Sequence, residues 1–63
     1  MIHTQLIRIN GIREKLQNEL EEFEGMRKTV HEKQRGKLEY RIEVRKSMIK
    51  DLDLMEQDIR LEL

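Results

Sequence analysis

The sequence predicts an all-α fold: an antiparallel, coiled-coil-like helical hairpin whose apolar stripe is wide enough for two copies to form a four-helix bundle. Three observations carry this prediction. Apolar residues recur at three- and four-residue spacing for four heptads, the periodicity of helices that pack on other helices. Charged residues make up 41% of the chain and proline is absent, which is the composition of long helices. The charge is also segregated. Residues 27–50 hold nine Lys/Arg against three Asp/Glu, residues 1–26 hold three against five, and residues 51–63 hold one against five.

The first predicted element is a helix over residues 3–33. Ile2, Ile9, Leu16, Phe23 and Val30 repeat every seven residues, Leu6 and Leu20 fill a companion seam, and Ile12 and Met26 widen the stripe. Asn10-Gly11, after the β-friendly run Thr4–Ile9, also fits a tight β-turn. Inside so long a helical pattern it reads as a weak point of the first helix, or as an N-cap with residues 1–9 leading in.

The second element is a turn at residues 34–36. Val30 and Leu38 are eight residues apart, so the heptad slips by one through a segment with no apolar residue that ends at Gly36. A glycine there suits a left-handed helix C-cap, and the basic residues around it favour the C-terminal end of the helix dipole. Two arrangements compete. Gly25 as a C-cap with a capping box over Thr29 to Glu32 gives a short first helix and a second of roughly 34 residues, with mismatched apolar lengths. A stutter inside one continuous helix gives a rod about 90 Å long.

The third element is a helix over residues 37–62. Leu38, Leu52 and Ile59 lie on one seam, Ile42, Ile49 and Leu63 on the other, and Val44, Met48 and Met55 broaden that face. Core and oligomer contacts are therefore expected from Leu16, Leu20, Phe23, Val30, Leu38, Ile42, Ile49, Leu52 and Ile59.

Charge pairing favours the hairpin. A turn near residues 35–36 sets side by side residues whose numbers add to about 70. Arg8 then faces Glu62, Arg13 faces Glu56 or Asp58, Lys46 faces Glu24, Arg27 faces Glu43, and Lys50 lies between Glu19 and Glu21. Exposed pairs of this kind contribute about 0.2–1 kcal/mol each, so their effect is on register more than on stability. Arg13, Arg27 and Arg45 occupy seam positions normally taken by Leu or Ile, with Glu56, Glu43 and Glu24 as the expected partners. Such charges specify alignment and oligomer state.

The chain forms a single domain, residues 1–63, too short to bury a comfortable core alone. Without cysteine it has neither disulfides nor thiolate metal ligands, so oligomerisation is the remaining route to stability and a homodimer is expected. No apolar run exceeds two residues and nothing resembles a secretory signal, so no membrane association is expected and the location is read as cytoplasmic.

Catalysis is not expected. His3 and His31 lack a second ligand at helical spacing, and Thr4, Thr29, Ser47 and Tyr40 lack a base spaced to activate them. Asp51 and Asp53 lie on opposite sides of a helix, and no Gly-rich phosphate loop is present. The inventory therefore offers no catalytic, metal or cofactor site. The expected function is a non-catalytic protein-interaction module, a small regulator or adaptor acting by helix–helix contact with itself and with another protein. The Met residues suit such an adaptable surface. The alternative is nucleic-acid binding through Lys33, Arg35, Lys37 and Arg41 at the hairpin tip, where contact would be mainly electrostatic because Tyr40 is the only nearby aromatic. A purely structural coiled-coil fragment is the third reading.

Overall fold

The computed structural model describes residues 2–63 as two antiparallel helices. Helix α1 spans Ile2–Met26, a 3-10 turn spans Glu32–Gln34, and helix α2 spans Arg35–Leu61. The two helices lie side by side in a body of 48 × 14 × 12 Å, so the single-rod alternative is excluded. Asn10-Gly11 lies within α1 and forms no turn.

Helix α1 ends seven residues before the expected boundary, and the chain reverses over residues 27–31. The carbonyl of Met26 accepts the N–H groups of Thr29 (3.1 Å) and Val30 (2.8 Å) and the Thr29 hydroxyl (3.5 Å). These donors satisfy a helix-end carbonyl that has no intrahelical partner. The early stop has a physical reason in the polar segment beyond Val30. A helix continued to residue 33 would carry His31, Glu32 and Lys33 past the last seam residue with nothing apolar to bury. Turning instead lets Val30 fold onto the end of the core, where it lines one groove with Phe23, Met26 and Leu38.

The start of α2 also differs from expectation. Gly36 lies in its first turn, and no glycine among the described residues has a positive φ, so the expected left-handed C-cap is not used. Thr29 is no N-cap either. His31 caps the 3-10 turn: its backbone is extended (φ −65°, ψ 142°) and its Nδ1 accepts the N–H of Lys33 at 3.2 Å, while Gln34, at the N-cap of α2, makes no side-chain cap bond. Residues 32–34 form the single 3-10 turn that leads from His31 into α2.

Ile9, Leu16, Leu38 and Ile42 are buried, Ile42 completely. Leu20, Phe23, Val30, Ile49, Leu52 and Ile59 lie along the same contact but stay half-covered. Two helices give each other only one stripe of cover. The accessible surface of 5314 Å² exceeds by about 1,000 Å² that of a compact monomer of this mass, about 4,300 Å².

A candidate helix-contact face and the loop-end cations

The two flanks of the hairpin seam differ sharply in chemistry. Residues seven apart in a helix fall within about 20° of one direction, so each flank is read as a series. On one flank α1 presents His3, Asn10, Gln17 and Glu24, and α2 presents Glu39, Lys46, Asp53 and Arg60: every position is polar. On the other, α1 presents Gln5, Ile12, Glu19 and Met26, and α2 presents Gln34, Arg41, Met48 and Met55. The residues that widen the stripe in each half therefore all fall on one side of the molecule. Ile12, Met26, Met48 and Met55 are each 45–52% exposed.

This broad face is a chain of shallow grooves. Near the open end of the hairpin, Ile9, Ile12, Leu52, Met55 and Ile59 enclose about 340 Å³, with Gln5 and Arg8 at the edge. Ile12 and Leu52 also wall the next groove, about 210 Å³, together with Leu16, Met48 and Asp51. At the loop end Phe23, Met26, Val30 and Leu38 form a third of about 230 Å³, edged by Lys37 and Arg41.

One polar element interrupts the stripe. Arg45 Nε lies 3.3 Å from Glu19 Oε2, Arg45 Nη1 donates to the Arg41 carbonyl at 3.1 Å, and the guanidinium carbon sits 4.4 Å from the centre of the Phe23 ring. The aromatic face and the carboxylate together replace the water that a seam arginine loses.

The polar flank holds the two other seam arginines. Arg13 Nη2 pairs with Glu56 Oε1, while its Nε is 3.0 Å from Asp53 Oδ1 without pointing at it. Arg60 donates to the second Glu56 oxygen at 2.8 Å. Hydrogen bonds from Arg13 and Arg60 hold the Glu56 carboxyl below its ordinary value of 4.5, and the bond to Glu56 raises Arg13. Arg27 grips Glu39 with two bonds, of 2.9 and 2.8 Å, and lies 3.8 Å from Glu24. That clamp lowers the Glu39 carboxyl and raises Arg27.

Only Arg13–Glu56 matches the expected pairing. Arg27 takes Glu39 in place of Glu43, and Arg45 takes Glu19 in place of Glu24. Arg8–Glu62, Lys46–Glu24 and the placement of Lys50 between Glu19 and Glu21 give no ion pair among the described residues. The cause is the early turn. Cross-helix pairs at Arg13–Asp53, Arg27–Glu39 and Arg45–Glu19 have numbers adding to 64–66 and Arg13–Glu56 to 69, so most pairs fall four to six residues short of the expected 70.

Folding also cancels most of the charge gradient sideways. Residues 17–48, the loop half of the hairpin, carry eight Lys/Arg and seven Asp/Glu, and the open half carries five and six. What survives is local: residues 26–38 at the loop end keep five bases against one acid. The four candidate tip residues separate into two pairs. Lys33 and Arg35 lie at the loop end beside Lys28, which charge counting does not single out. Lys37 and Arg41 edge the broad face instead. None of the four forms an ion pair among the described residues.

Among the described residues no group of three His, Cys, Asp or Glu side chains could hold a metal ion, and no helix is long and apolar enough to cross a membrane. No protein-family model, curated protein or solved structure matches this chain.

Proposed function

We propose that this chain is a non-catalytic protein-interaction module, a small regulator or adaptor that works by helix–helix contact through its broad face. The observation that carries the reading is the alignment of Ile12, Met26, Met48 and Met55, all half-exposed, on one flank of both helices. An exposed run of apolar side chains of this kind, broken once by Arg45 and Glu19, marks an interaction surface, and unbranched methionines let it adapt to a partner helix. The test is affinity capture from the native source with wild-type and Met48→Asp bait, with and without nuclease. Protein retained by the wild type, insensitive to nuclease and lost with Met48→Asp supports the reading.

Nucleic-acid binding is the second reading, favoured by Lys28, Lys33 and Arg35 at the loop end. With so few cations its affinity would be modest and would fall with salt. Its test uses Lys33→Glu with Arg35→Glu, because Lys37 and Arg41 belong to the edge of the broad face. A nuclease-sensitive species that survives Met48→Asp and is lost with that pair would replace the first reading by the second.

A further inference from the structure

We propose that the broad face is covered by a second copy of this chain, packed face to face with its loop end over the open end of the first. This rests on the reading of that face as a helix-contact surface, and adds its occupant and orientation.

Area is the first argument. The hairpin exposes about 1,000 Å² more than a compact monomer of its mass, close to the roughly 800 Å² that each partner contributes to a standard interface. Length is the second. The face runs from Gln5 to Met26 on α1, with Val30 beyond its end, and from Lys37 to Ile59 on α2, about 32 Å of each helix, and a second hairpin of the same length covers it from end to end.

Charge decides the orientation. A face-to-face dimer with a two-fold axis either stacks the two loops at one end or sets them at opposite ends. Stacking brings together two loop ends that each hold Lys28, Lys33, Arg35 and Lys37, none of them in an ion pair among the described residues, against the single acid Glu32, and like charges in contact are unfavourable. With the loops opposed, α1 packs on its own copy and α2 on its own copy. The outer edge of the face is Arg8, Lys15 and Glu22 on α1 and Lys37, Val44, Asp51 and Asp58 on α2. A two-fold axis passing near Glu19 and Met48 then sets Lys37 opposite Asp58 of the other copy, and Lys15 opposite Glu22 of the other copy. The same axis brings Met48 against its own symmetry mate and Ile12 against Met26. The axis also sets Glu19 near Glu19 of the other copy, each carboxylate held by its own Arg45, a polar mark that disfavours slipped alignments.

The experiment has two parts, both on the full chain. Sedimentation equilibrium at micromolar concentration should show twice the 7.7 kDa chain mass, and Met48→Asp should weaken association at least a hundredfold. Because that variant also lowers helix stability, a charge exchange serves as the second route. Lys37→Glu should weaken the dimer about tenfold, and adding Asp58→Lys should restore it. Residues 37 and 58 are about 32 Å apart on one helix, so rescue can only act between chains.

Orientation is read from spin labels at Glu32→Cys, since the chain has no other cysteine. Opposed loops place the labels on the order of 45 Å apart, near the molecular length of 48 Å, and stacked loops place them within about 25 Å. A short distance, or failure of Asp58→Lys to rescue, overturns the orientation. A monomer at every concentration overturns the second copy as occupant. If capture by the wild type is still lost with Met48→Asp, the helix-contact reading survives that result; if capture also ignores Met48→Asp, both fail.

Discussion

Gly11 offers the sharpest single test of the backbone. It lies within α1, nine residues from the first described helical residue and fifteen from the last, in a fully helical stretch. Its φ is not positive, and a Cβ added there would meet no atom within 4 Å. Gly11→Ala therefore introduces no clash and removes backbone freedom from the unfolded chain, which stabilises a helix interior by about 0.5–1 kcal/mol. Against a total of about 3–9 kcal/mol for 63 residues, this is a measurable fraction. For so small a domain it raises Tm by about 2–8 °C. Thermal and urea unfolding followed by far-ultraviolet circular dichroism, at one chain concentration because association is coupled to folding, should show higher stability with an unchanged urea slope. Gly25→Ala, beside the last residue of α1, should gain less, because terminal turns fray. A loss of stability in Gly11→Ala would refute the reasoning: it would mean that Asn10-Gly11 makes a turn and that α1 begins after it.

Three further outcomes are expected from the packing and the loop. Ile42→Ala truncates a completely buried side chain and should cost about 2–5 kcal/mol, enough to remove most helicity at room temperature, while Ile7→Ala at a position 70% exposed should change stability by less than about 0.5 kcal/mol. His31→Ala deletes the acceptor for the Lys33 N–H and should cost about 0.5–1 kcal/mol, largely restored by His31→Asn. Acid should destabilise the hairpin with a defined sign. Glu39 and Glu56 are held below the ordinary 4.5, so their contribution is complete above that pH and is lost as pH falls through the lowered values. Tm measured against pH should drop below about 4.5, and Glu56→Gln should be less stable near neutrality with a flatter acid limb.

The helical class and the two seams were legible because they depend on spacing alone. A residue's direction around a helix follows from its number, so Leu16, Leu38 and Ile42 could be assigned to the core before any fold was known. The turn was less legible. Gly36 and the polar run His31–Lys37 mark where a chain can break, and Gly25 marks a second place. The choice between them depended on Val30 gaining cover from Phe23 and Leu38 once the helices met. That displacement moved the register by about a turn and gave Arg27 and Arg45 different carboxylates.

The broad face was the least legible element. Ile12 and Met26 widen one half of the pattern and Met48 and Met55 the other, but periodicity within each half is silent on whether the two widenings share a side. By itself the sequence determined two amphipathic helices, a break between them, the residues of the seam and the need of half-covered seam arginines for acids. Only the tertiary structure decided which break is used, which acids those arginines hold, and that every widening residue lies on one flank. The physical reason is that helical periodicity is a local property, fixed by 3.6 residues per turn. Register and facing depend on contacts between residues distant in the chain, which exist only after the hairpin closes.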